Sequence, residues 1–112
     1  MKTLLKTILA SLAVLALTSS VASADAKKGQ KYYLKKLKVC KKDGLKNGAV
    51  FATKHTRKEW TKLKESGKLM EEWQNICPSG TKKFSKMKEK HIEDLYDFVH
   101  KYAADGEVPS CG

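Results

Sequence analysis

The chain has 112 residues, with 23 basic and 12 acidic side chains, a formal net charge of +11 and three cysteines. That length holds one small domain with one modest core, a size that often leans on a disulfide, a metal or a cofactor for part of its stability. A lysine excess of this kind favours acidic partners, anionic headgroups or polyanions; the export signal at the front of the chain takes intracellular nucleic acid off that list.

Residues 1–24 read as that signal. Lys2 and Lys6 flank the basic start, an apolar run covers Ile8–Leu17, and Ala22-Ser23-Ala24 fits the small-residue cleavage pattern. The run is short for a bilayer span, and no cysteine stands at the cleavage site as a lipoprotein would require. Cleavage after Ala24 is expected to release a periplasmic chain that starts at Asp25, forms a single domain over 25–112 and carries a net charge of +9.

The spacing predicts a first helix over residues 27–41, with Tyr33, Leu37 and Cys40 on one face, Leu34 beside them and lysine over most of the rest. Asp43-Gly44 and Asn47-Gly48 are turn dipeptides, so 43–55 reads as a loop carrying the apolar patch 49–52. Thr56, with Glu59 three residues on, has the pattern of a capping box that opens a second helix, which turns Trp60 and Leu63 inward. Ser66-Gly67 ends it. A third helix is predicted from Leu69 to Ile76 with Trp73 inward, followed by a loop at 77–80. The last helix, Lys88 to Ala104, carries Ile92, Leu95, Tyr96, Val99 and Tyr102 as an apolar stripe, with Gly106 and Pro109 beyond its end. Its acidic residues, Glu89, Glu93, Asp94 and Asp97, complement the lysines of the first helix. No segment reads as a strand, and the expected fold class is all-α.

An exported chain with Cys40, Cys77 and Cys111 is expected to close one disulfide and leave one thiol over. The sequence does not decide the pairing. Cys77 with Cys111 is the first choice, since each lies near a proline in a predicted loop.

Gly29-x3-Tyr33-x3-Leu37-x2-Cys40-Lys41 falls without a gap on the first-helix pattern of the class I cytochromes c, G-x3-[FY]-x3-C-x2-C-H. The final HIEDLYDFVHKYA resembles the closing helix of that family. The chain is also similar to small exported bacterial proteins, labelled cytochrome c by similarity, that end in sequences like DLYDFVHKYAADGEVPSC. The resemblance implies a small helical domain whose first and last helices cross, with Gly29 allowing close approach and Tyr33 packing at the crossing.

The chemistry of the motif is altered. Both thiols of C-x-x-C-H add to the porphyrin vinyl groups while the adjacent histidine ligates the iron. Leu37, Cys40 and Lys41 stand at those three positions. Leucine forms no thioether, and lysine ligates iron only as the neutral amine, several pK units from its ordinary state. The haem motif is therefore degenerate. The expectation is a protein without a cofactor, its interior filled by Leu37, Val50, Phe51, Trp60 and Trp73, that acts as a binding or interaction module.

Two alternatives stay open. One is a basic electron carrier with haem held by a single thioether or non-covalently, for which Cys40, Lys41, Met70 and Met87 are the candidate contacts and the lysine face steers it to an acidic redox partner. The other is a cationic protein that binds an anionic membrane surface or a polyanion. His55, His91 and His100 stand in no zinc-ligand spacing. No nucleophile elbow, phosphate loop or thioredoxin-like C-x-x-C occurs, so catalysis by the bare polypeptide is not expected.

Overall fold

The computed structural model describes residues 25–108. Residues 1–24, expected to be a targeting segment, and Cys111 lie outside the described residues. The elements in order are α1 (Ala26–Lys36), a 3-10 segment (Lys38–Asp43), α2 (Gly48–Ala52), α3 (Arg57–Glu65), α4 (Leu69–Ile76), a 3-10 turn (Pro78–Gly80), α5 (Thr81–Ser85) and α6 (Glu89–Lys101). Every element among the described residues is helical, and the domain is all-α.

Asp25 starts α1: its carboxylate accepts from the Lys27 amide at 2.8 Å, while its own amide donates to Asp94 Oδ1 at 2.9 Å. The cap therefore also ties the start of α1 to α6. The two helices cross at Gly29, where an added Cβ would lie 2.1 Å from the Asp94 carbonyl oxygen and 2.9 Å from Phe98 Cβ. Only a glycine lets the two backbones come this near. One turn later Tyr33 packs at the crossing, 6.4 Å from the Phe98 ring and 5.1 Å from Phe51 between centroids. Burial holds this contact rather than charge: among the described residues no ion pair joins α1 to α6, and Glu93 pairs with Lys64 of α3 at 2.6 Å.

The single helix expected over 27–41 is broken at Leu37. Beyond it the chain tightens into three-residue turns, with the Cys40 amide on the Leu37 carbonyl and the Gly44 amide on that of Lys41. A period of three places Leu37 and Cys40 on one side, and both are fully buried. Gly44, at φ +84°, closes the segment in the left-handed region.

Residues 43–55 are not wholly a loop. Asn47 caps α2 through its side-chain oxygen, which accepts from the Val50 amide at 3.0 Å. The Asn-Gly pair thus opens a helix instead of a turn within a loop, and α2 drives Phe51 and Ala52 into the core. The capping box at Thr56 and Glu59 forms as expected, with both reciprocal bonds present, and α4 spans Leu69–Ile76 as the spacing indicates. Helix α6 ends at Lys101, three residues short of Ala104. Of its apolar stripe Leu95 and Val99 are buried, and Phe98, outside the stripe, is buried with them.

Phe51 is the centre of the interior. Its ring lies 6.3 Å from Trp73, 6.3 Å from Phe84 and 6.4 Å from Trp60. A disulfide between Cys40 and Cys77 closes one side, with the Cα atoms 5.4 Å apart. The expected Cys77–Cys111 pairing is thus replaced. The 3-10 segment turns Cys40 inward at the end of α4, where Cys77 caps that helix. Asp43 reinforces the junction by accepting from both the amide and the hydroxyl of Ser79 at 2.9 Å.

Candidate functional site, a lysine-lined helix face

The residues singled out for haem separate. Cys40 has its sulfur in the disulfide with Cys77. Leu37 is fully buried, and Lys41 is exposed on the outer side of the 3-10 segment. Met70 and Met87 are half-buried, packed against the apolar core. Phe51, Trp60, Trp73 and Phe84 are all fully buried and fill the interior. These residues do not fit a haem attached at Leu37, Cys40 and Lys41: leucine has no thiol, and a thioether at Cys40 needs the sulfur that is bound to Cys77.

The histidines are spoken for. His55 Nε2 lies 2.7 Å from Glu72 and Nδ1 lies 3.2 Å from Glu59, so its ring joins the start of α3 to α4. Its edge meets Trp60 at 4.8 Å. The Thr56 amide, and then His55, hold the Glu59 carboxyl below the usual carboxylate range. His91 packs on Tyr32 at 4.8 Å, and His100 lies 5.7 Å from Tyr96. No group of three or more metal-ligating side chains gathers among the described residues.

What the fold does gather is positive charge. Lys27, Lys28, Lys31, Lys35 and Lys36 lie on α1, and Lys38, Lys41 and Lys42 on the 3-10 segment after it. With Gly29, Tyr33 and Leu37 turned inward, all eight lysines face solvent. None of them forms an ion pair among the described residues. Between α1 and α6 a groove of about 390 Å³ is lined by Lys28, Lys31, Lys35, Lys36 and Lys90 around the Tyr32–His91 pair. Asp94 is the acid in its wall, and the Asp25 amide already donates to it. Five lysines against one carboxylate leave the groove net positive.

A second recess of about 260 Å³ lies towards the other end of α1, between Tyr33, Leu34, Leu37 and Leu45, with Lys38, Lys41, Lys46 and Asn47 around it. Burial, and then the charge of Asp43, push the Tyr33 hydroxyl up to about 12. Sequence reasoning missed this recess. Leu45 and Asn47 stand in a segment without helical or strand periodicity, and the recess exists only because the chain folds back there over the end of α1.

Comparison of the chain with family models, with curated proteins and with solved structures finds no match.

Proposed function

We propose that this is an exported, haem-less domain laid out like a class I cytochrome c, and that it serves as a binding module for an acidic protein partner through the lysine face of α1. The observation that carries the reading is the fate of Cys40. Its sulfur is joined to Cys77, which takes from the degenerate motif its one remaining thiol. The close crossing at Gly29 and the packing of Tyr33 against Phe98 agree with the layout that the resemblance implies. The interior is filled by aromatic side chains, and an electron carrier holding haem by a single thioether would need the thiol that the disulfide takes.

The lysines supply the binding role. They lie on one helix face and the segment that follows, free of ion pairs among the described residues, and so present their charge to a partner. Charge of this kind chiefly raises association rates and selects against basic partners. The binding is expected to weaken as salt shortens the Debye length towards about 8 Å at physiological ionic strength.

Two measurements test the reading. The protein purified from a periplasm that matures c-type cytochromes is expected to be colourless before and after dithionite. A reduced haem band surviving acid–acetone extraction would overturn it. Calorimetric titration with polyglutamate is expected to show salt-sensitive binding that the triple substitution K28E/K31E/K35E abolishes, and binding indifferent to those substitutions would remove the lysine face from the proposal.

A further inference from the structure

The recess at the end of α1 has three unmet chemical demands. Leu34 is 46 % exposed, a large apolar side chain left in water on a helix otherwise faced with lysine. The Tyr33 hydroxyl is buried without a hydrogen-bond partner among the described residues. Lys38, Lys41 and Lys46 stand around the recess with no ion-pair partner among the described residues. The first demand is for an apolar cover, the second for a polar partner, the third for an anion. A buried polar group without a partner is uncommon in native folds and calls for a reason.

We propose that this recess is a binding site for a small amphiphilic carboxylate, with its apolar chain against Leu34, beside the buried Leu37 and Leu45, and its carboxylate among Lys38, Lys41 and Lys46. The site goes beyond the acidic-protein reading and stands or falls separately from it. Size restricts the ligand: about 260 Å³ is below the roughly 300–1,000 Å³ of drug-sized sites, which suits a short or medium chain and not a long lipid tail. Charge restricts it further. Three ammonium groups favour an anion, while the leucines beside them penalise desolvation of a dianion more than of a monoanion. Tyr33 stays protonated at any physiological pH, and a ligand oxygen that reaches its hydroxyl supplies the partner the fold withholds. Leu34 loses its exposure to water at the same time, a favourable change of about 25 cal/mol for each Å² covered.

The probe is octanoate, titrated into the isotope-labelled mature chain while the methyl signals of Leu34, Leu37 and Leu45 are followed by NMR. Octanol, octylammonium and phosphatidylglycerol vesicles serve as the other arms. Saturable shifts confined to those three leucines are expected with octanoate. The double substitution K41Q/K46Q is expected to weaken octanoate binding about three- to tenfold, in line with two solvent-exposed charge contacts, and to leave octanol unchanged. L34N, at an exposed position that does not disturb the core, is expected to weaken both. The proposal is overturned if octanoate gives no saturable shift or if octylammonium binds equally well. It is overturned too if the shifts appear in the α1–α6 groove instead, or if the vesicles alone perturb the leucines, which would make the recess a lipid contact.

Discussion

The crossing of α1 with α6 and the aromatic interior around Phe51 are both dry contacts, held in opposite ways. At the crossing, order comes from a missing side chain: Gly29 lets the Asp94 carbonyl approach to where a Cβ would stand. In the interior, order comes from large side chains, four aromatic rings about 6 Å apart in sequence of contact, and from a covalent bond beside them. The crossing should fail on any gain of volume, the interior on any loss of it.

The largest effect is expected from the interior's covalent bond. Cys40 and Cys77 are separated by 37 positions, and closing a loop of that length is worth about 4 kcal/mol in the chain-entropy account. Urea unfolding of the double substitution C40S/C77S should show a loss approaching that figure, with helical content retained by whatever fraction stays folded. Equal stability with and without reductant would mean the interior stands on packing alone.

At the crossing, Gly29→Ala sets two terms against each other. Alanine gains about 1 kcal/mol of helix propensity over glycine, while the new methyl collides with backbone, which cannot rotate away as a side chain can. Overpacking of this kind costs about 1–3 kcal/mol or more. With the overlap as deep as 2.1 Å, the collision wins, and the expected result is a net loss of about 2 kcal/mol. A stabilised Gly29→Ala variant would show that α1 and α6 can slide apart, and would remove the crossing as a fixed point of the fold.

The two regions were also unequally legible beforehand. Gly29 and Tyr33 could be read because the resemblance of 29–41 to a class I cytochrome c first helix implies a crossing there, and the capping box at Thr56 marked the start of α3. The break at Leu37 could not be read: Leu37 and Cys40 satisfy a helical period and a three-residue period equally well. That ambiguity hid the inward turn of Cys40, and so the pairing with Cys77. Asn47-Gly48 misled for a related reason, since asparagine caps helices through the same side-chain oxygen that serves it in turns. Phe98 was missed because it flanks the apolar stripe, and the recess beside Leu34 because its walls meet only through the fold. The lysine face, by contrast, was visible in composition alone.

Within the interior, the two tryptophans offer a finer test. Trp60 donates its indole N–H to the Ala52 carbonyl at 2.9 Å, whereas the Trp73 N–H is buried without a partner among the described residues. Replacing either by phenylalanine removes similar volume, so the cavity costs nearly cancel in the comparison. Trp60→Phe also forfeits a hydrogen bond, worth about 1 kcal/mol net, and Trp73→Phe removes a donor that had already lost its water. Trp60→Phe should therefore be the more destabilising by about 1 kcal/mol in paired urea titrations. Equal losses would mean that the Trp73 N–H has a partner in solution.

Tyr33 joins the two regions, and its hydroxyl should be the least consequential group in both at neutral pH. Since it makes no hydrogen bond, Tyr33→Phe should change stability by no more than about 0.5 kcal/mol at pH 7, well below the cost of breaking a satisfied bond. The difference should appear only in alkali. Burial, and then Asp43, raise the folded hydroxyl from 10.0 to about 12. Below the unfolded value both states hold the proton, and the group gives stability no pH dependence. Between the two values the unfolded chain releases the proton while the folded chain keeps it, so the unfolded state binds fewer protons and stability falls as pH rises. That contribution is lost progressively up to the folded value. The other tyrosines and the lysines titrate in both proteins, so the difference between wild type and Tyr33→Phe isolates this one group. The variant should lose less stability than wild type between pH 10 and 12, and parallel curves would show that the hydroxyl already reaches water in the folded protein.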